Sequence, residues 1–304
     1  MKNRKIIIGS RGSKLAIIYA KRAKTELAKF YNEKYIELKS IVTTGDTVQN
    51  IRLSDYGGKG LFSKKIEEEL LDKKIDIAVH ALKDMPSEET EGLLTNCFLE
   101  RNDPREVLIS NNKNLIKDLK SDAIVGTSSF RREFQLKKIR SDLSYKLIRG
   151  NVDTRIKKLN EKLYDAIILS YAGLQSLNLE KNISQIFSTN EIIPSVGQGV
   201  VALQCRKNDL EIIDQLKKIN HKPTNICVNA ERQLLKVLEG DCETAVGAIA
   251  IIDGDTINLE AELFSLDGRD RFYYKASKNL NFAKELGKEV GKILKQESKN
   301  SYRK

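Results

Sequence analysis

Cys242 is the residue whose surroundings best suit a nucleophile or a covalent attachment point. It lies in LEGDCETAVG, between a helical pattern and a strand pattern, where a thiol can reach solvent and ionise. Cys97 and Cys205 fall within apolar strand patterns and Cys227 within a helical one, the usual setting of an inert buried thiol. Lys83 and Asp84 form a second chemical pair, in HALKDMP, just after an apolar strand pattern ends. A carboxylate there can stabilise a developing cation or relay protons. The plainer reading is that Asp84 caps the next turn and Lys83 is solvated. His80 alone reads as a packed core residue.

Three short segments could bind anions. GSRGS at 9–13 and GTSSFRR at 126–132 bring backbone N–H groups, the hydroxyls of Ser13, Thr127, Ser128 and Ser129, and Arg11, Arg131 and Arg132 to expected helix starts. The helix dipole favours anions at such places. RGNVDTR at 149–155 adds Arg149 and Arg155 at a further helix start. A guanidinium fork matches a carboxylate or a phosphate. Either Ser/Thr turn alone could be an ordinary helix cap. Two such turns, one in each of two lobes, favour a polyanionic ligand held between them, because ligands of open α/β sheets gather beyond the carboxyl ends of strands.

The elements that must position these residues alternate β-branched runs with amphipathic stretches, which points to an α/β architecture. Strands are expected at Lys5–Ile8, Ile36–Val42 and Ile75–His80, and a helix after GSRGS with Leu15, Tyr19, Ala23, Leu27 and Phe30 on one face. A glycine-rich loop from Gly57 should lead into a helix with Phe62, Ile66 and Leu70 on one face. A second lobe begins near Asp103, with strands at Glu106–Ile109, Ala123–Val125, Tyr145–Ile148 and Ala166–Leu169. VVALQC, after Pro194, reads as a buried strand returning to the first lobe. A helix over Thr224–Leu238, antiparallel strands joined by Asp/Gly turns, a closing helix over Lys278–Lys295 and a frayed tail after Glu297 complete the chain. The expected domains are 1–102 with 195–219, then 103–194, then an α+β domain over 220–304.

At 304 residues, 40% hydrophobic and 31% charged, the chain has room for two or three packed cores and fits a globular class. No apolar run approaches the roughly 18 residues of a membrane span. The apolar run near the start, Ile6 to Ile8, is too short for a signal peptide. The four cysteines form no CxxC pair and only two histidines are present, so a reduced cytoplasmic protein without bound metal is expected. A net charge of +11 attracts anions and raises nucleic acid as a rival partner. Against that rival, there is no Trp and the ten Tyr are scattered. A non-catalytic anion receptor explains the arginines but has no use for Lys83–Asp84 or Cys242.

The ordered set GSRGSKLA, TTGD, GGKGLF, HALKDMP, VGTSSFRR, RGNVDTR, YDAIILSYAGL, PSVGQG and AER followed by GDC resembles the porphobilinogen deaminases across nearly the whole chain. The resemblance implies two lobes like those of periplasmic anion receptors plus a smaller C-terminal α+β domain. It implies a transferase that joins four porphobilinogen molecules stepwise into hydroxymethylbilane, with release of ammonia, in tetrapyrrole and haem biosynthesis. A dipyrromethane cofactor is implied, bound as a thioether to Cys242 and held by Lys83, Thr127, Ser128, Ser129, Arg131 and Arg132. Substrate binding falls to Arg11, Ser13, Lys59, Phe62, Arg149 and Arg155, and catalysis to Asp84 with Lys83. A cytoplasmic monomer without nucleic-acid or membrane partners is the expectation. The chain departs from the family pattern at Ala81 (usually Ser), Asp153 (usually Gly), Ser176 (commonly Arg), Asp241 (usually Gly) and Ala245 (usually Pro).

Overall fold

A computed structural model describes residues 4–43, 60–240 and 244–303. Three sheets organise them. The first contains β1 (Ile6–Arg11), β2 (Ile36–Ile41), β3 (Ile77–Ala81), β4 (Leu93–Phe98) and β10 (Val201–Arg206), in the order β2-β1-β3-β10-β4. β1 pairs parallel with β2 and β3, whereas β10 runs antiparallel to β3 and β4. The late run VVALQC therefore does return to the first lobe, with Val201 opposite Ala81.

The second sheet comprises β5 (Glu106–Ser110), β6 (Ile124–Gly126), β7 (Ser144–Lys146), β8 (Ala166–Ser170) and β9 (Gln185–Ile186), ordered β7-β6-β8-β5-β9. Here again three parallel strands abut one antiparallel strand, β5. The central strands are buried on both faces, as expected where helices cover both sides.

Helix α1 (Lys14–Ala28) follows β1, capped by Ser13, and buries Tyr19, Ala23 and Leu27. The sequence expectation for Phe30 is corrected. The helix ends before it, and the ring is 51% exposed. Helix α2 (Lys64–Leu71) buries Ile66 and Leu70, while Phe62 precedes its first turn. On the second lobe lie α3 (Phe130–Ile139), α4 (Val152–Asn160) and α5 (Tyr171–Ser176).

The third unit is an antiparallel meander, β11 (Val246–Asp253), β12 (Thr256–Phe264) and β13 (Arg271–Asn279), covered by α7 (Lys222–Val237) and α8 (Ala283–Glu297); α6 (Leu210–Ile219) closes the first lobe. Two C-terminal expectations are corrected here. Lys278 belongs to β13, because its register with Ile257 continues the alternating exposure of that strand. The tail is docked instead of frayed: Tyr302 is 2% exposed and its hydroxyl donates to Leu238 O at 3.0 Å.

Candidate functional site

The strand ends of the first lobe carry the cationic and acidic groups to one place. β1 ends on Arg11, and a single 3-10 turn, Leu82–Asp84, continues from β3. Between them opens a pocket of about 50 Å3 lined by Arg11, Ser13, Tyr19, Phe62, His80 and Asp84, among others. Arg11 lies over the Phe62 ring, 3.9 Å from its centroid, so a guanidinium is held flat by a π face. Ser13 accepts from Ala16 N at 3.3 Å, so it serves as a helix cap at the pocket edge.

His80 closes the back of the pocket. Its Nε2 is 3.3 Å from Gln204 Oε1, and Gln204 Nε2 donates to Glu67 Oε1 at 3.0 Å. The amide nitrogen can only donate, so Gln204 Oε1 must face the imidazole and Nε2 carries the proton. Burial holds the imidazole below its usual range, against the pull of Glu67, Gln204 and Asp84. A buried, neutral, hydrogen-bonded histidine agrees with the core reading from sequence.

Lys83 sits at the junction of the lobes. Its Nζ donates to Gln198 Oε1 at 3.2 Å, and Gln198 Nε2 donates to Pro104 O at 2.7 Å. Burial lowers its ammonium to about 8, with the charge of Arg132 adding to the fall against Asp84 and Glu106. Across the gap, Arg155 is lowered to about 10, first by burial and then by Arg132 and Arg149, while Asp84 pulls the other way. Asp84 of one lobe and Arg155 of the other are therefore within each other's field.

The structure divides the arginine set. Arg131 donates to Glu106 Oε1 at 2.5 Å and to Ile193 O at 2.8 Å; Arg132 donates to Glu106 Oε2 at 2.8 Å and to Ile168 O at 3.3 Å. Both guanidinia are thus turned toward a buried carboxylate. Burial alone would raise Glu106, but Arg132 and Arg131 outweigh it and hold the carboxyl at about 2. Arg132 Nε is buried without a hydrogen-bond partner. Ser129 caps α3, accepting from Arg132 N at 3.4 Å, and Thr127 Oγ1 accepts from Ser129 N at 3.1 Å; Ser128, between them, is half-buried.

Glu106 escaped the sequence reading, although a lone acid opening the apolar run EVLIS was a signal. Glu231, in AER, also escaped it. Its carboxylate takes Arg101 at 2.5 Å, Gly197 N at 2.8 Å and Ala250 N at 2.9 Å.

Cys242, Asp241 and Lys59 lie outside the described residues. The described cysteines are buried, and burial pushes Cys97 up to about 12 and Cys205 and Cys227 up to about 11, far from a nucleophile at neutral pH. The cationic cluster suits a polycarboxylate such as dipyrromethane: Lys83, Arg132, Arg149 and Arg155 raise one another's energy, and an anion among them would relieve it.

Residues 6–214 match the family described as "Porphobilinogen deaminase, dipyromethane cofactor binding domain", and residues 225–296 match "Porphobilinogen deaminase, C-terminal domain". Among curated relatives, the porphobilinogen deaminase of Syntrophomonas wolfei is 40% identical over 97% of this chain and 96% of its own length. That of Staphylococcus carnosus is 41% identical over 97% and 96%. Among solved structures, the probable amino-acid ABC transporter extracellular-binding protein ytmK of Bacillus subtilis is similar at 16% identity, covering 71% of this chain and 90% of that one with a TM-score of 0.41. With both family regions matched in order and full-length relatives at this identity, the chain belongs to the porphobilinogen deaminase family.

Proposed function

We propose that this chain joins four porphobilinogen molecules into hydroxymethylbilane with release of ammonia, and that the reaction runs beside Asp84. The observation that carries this placement is one acid, Asp84, in a pocket with Arg11 and within the field of Lys83 and Arg155. Each porphobilinogen brings two carboxylates for the cations and one aminomethyl group, whose amine leaves as ammonia while its methylene carbon forms the new bond between rings. The carboxylate of Asp84 offsets the positive charge that develops on the substrate as ammonia departs. Arg11, Ser13, Lys59, Arg149 and Arg155 take the acetate and propionate side chains of the substrate, and Phe62 takes part by holding the Arg11 guanidinium flat.

Dipyrromethane, bound through Cys242, supplies a free pyrrole α-carbon as the first nucleophile. Lys83, Thr127, Ser128, Ser129 and Arg132 hold its side chains, and Arg131 braces that wall through Glu106 and Ile193. We assign domain limits of 1–102 with 195–219, 103–194 and 220–304, supported by the three sheets and by the separate C-terminal family match. The same reading has the protein act as a cytoplasmic monomer without nucleic-acid or membrane partners.

Intact-protein mass tests the reading. Purified protein should exceed its sequence mass by a dipyrromethane, and substoichiometric porphobilinogen should add pyrrole units in discrete steps on the Cys242 peptide. Cys242→Ser should lack every adduct, because a hydroxyl is a poor nucleophile near neutral pH. An unmodified mass in active wild-type protein would refute it.

A further inference from the structure

The turn that carries Asp84 is fixed within its own lobe and gripped from the C-terminal unit. Leu82 N donates to Val200 O at 3.0 Å, and Met85 N donates to Leu82 O at 3.0 Å. Leu82 and Met85, which bracket Lys83 and Asp84, are buried in one cluster with Val228 of α7. One turn along the same face of that helix, Arg232 Nη2 donates to Pro86 O at 2.8 Å and to Ser87 O at 3.3 Å. A turn further, Lys236 Nζ meets Glu88 Oε2 at 3.1 Å. Val228, Arg232 and Lys236 thus follow the segment from Leu82 to Glu88 in order.

Arg232 bonds carbonyls although acids lie close by. Glu88 is paired with Lys236, and Glu89 Oε1 accepts from Thr95 N at 2.8 Å. Pro86 and Ser87 are half-buried and lie between β3 and β4, outside any strand ladder. Their carbonyls need a donor from elsewhere, and one guanidinium nitrogen serves both. The helix that offers it is itself anchored to this lobe, because the neighbouring Glu231 accepts from Gly197 N at 2.8 Å. That turn rests on Leu82: a Cβ on Gly197 would lie 2.7 Å from Leu82 Cγ.

We propose that Arg232 is a further positioning residue for the reaction, holding the backbone just beyond Asp84 from the C-terminal unit and so fixing where that carboxylate stands toward the departing ammonia. This rests on the functional reading above. Asp84 acts on charge that develops only as ammonia leaves, whereas the arginines of the lobes bind the substrate carboxylates. Displacing Asp84 therefore lowers kcat and leaves KM nearly unchanged.

Steady-state kinetics and amide hydrogen exchange of Arg232→Met and Arg232→Lys, on samples whose cofactor loading is read by intact mass, test the proposal. Arg232→Met should lower kcat per loaded enzyme about tenfold with KM changed less than about twofold. Exchange of the peptide spanning Asp84 should quicken about tenfold, while β6 and β8 of the second lobe exchange as in wild type. Arg232→Lys, whose shorter side chain still carries a donor, should show both changes at smaller amplitude. A loaded Arg232→Met enzyme with kcat within about twofold of wild type, with its loss carried by KM, or with unchanged exchange at Asp84 overturns the proposal. If Arg232→Met does not fold, Arg232→Lys decides, and wild-type kcat with wild-type exchange overturns it. Wild-type protein without a pyrrole adduct refutes the functional reading itself, and the exchange data still show whether Arg232 holds the turn.

Discussion

Lys83 illustrates how burial sets the charge available at the site. Its ammonium, lowered to about 8 by burial and by Arg132, is present below that pH and lost above it. The unfolded lysine keeps its proton up to about 10.4, so between these values the unfolded chain binds more protons. Through this group, stability rises with pH across that window while carboxylate binding weakens. Binding of a polycarboxylate to cofactor-free Cys242→Ser protein should weaken as pH rises through about 8, and adding Lys83→Arg should keep it strong to higher pH, as a pH series of binding titrations would show. Asp84 belongs to the same scale. Asp84→Asn should cut steady-state ammonia release by about 100-fold or more, because the amide cannot offset a developing cation. Circular dichroism of that variant should match wild type.

At the scale of elements, the closest packing is between α7 and α8. Gly287 on α8 allows it: a Cβ there would lie 2.0 Å from Ala230 O on α7, a backbone atom that no rotamer change can move. Gly291, one turn on, faces Leu234 O and Val237. Gly287→Ala gains helix propensity of about 1 kcal/mol but forces the helices apart, and overpacking of this kind costs about 1–3 kcal/mol. With a backbone atom in the way, the clash should win. The expected outcome is a lower unfolding midpoint in urea, with the pyrrole adduct on Cys242 retained.

At the scale of the molecule, two links between units differ in burial and should differ in effect. Glu231 is fully buried and joins Arg101, the Gly197 turn and β11. Removing one partner of such a buried pair costs on the order of 3–5 kcal/mol, so Glu231→Gln should lower thermal stability sharply. Lys14 and Asp153 also join the lobes, but their side chains are 78% and 48% exposed. An exposed pair contributes about 0–1 kcal/mol and is screened by salt. Lys14→Ala should leave the melting temperature near wild type. Calorimetry on the two variants, side by side, checks both expectations.

The sequence by itself determined the local structure and the chemical inventory. Hydrophobic period depends on neighbours a few residues apart, so the strands flanking each Ser/Thr turn and the helices they feed were legible, as was the return of β10 to the first lobe. The motifs also identified the cationic residues and the lone acid of HALKDMP. Tertiary structure alone decided where the charges point. Arg131 and Arg132 read as ligand-binding residues, and the fold adds a partner that reading did not include: Glu106, 25 and 26 residues away, meets both guanidinia; no periodicity encodes such a pairing. The tail read as frayed because its polar residues suggest solvent, yet Tyr302 finds a buried acceptor 64 residues earlier. Tyr19 counted as one apolar position on a helix face, and only the folded first lobe brings it beside Arg11, Phe62 and Asp84 in one pocket. Ion pairs and hydrogen bonds across such distances depend on how the units close on one another, which helix and strand periodicity does not record.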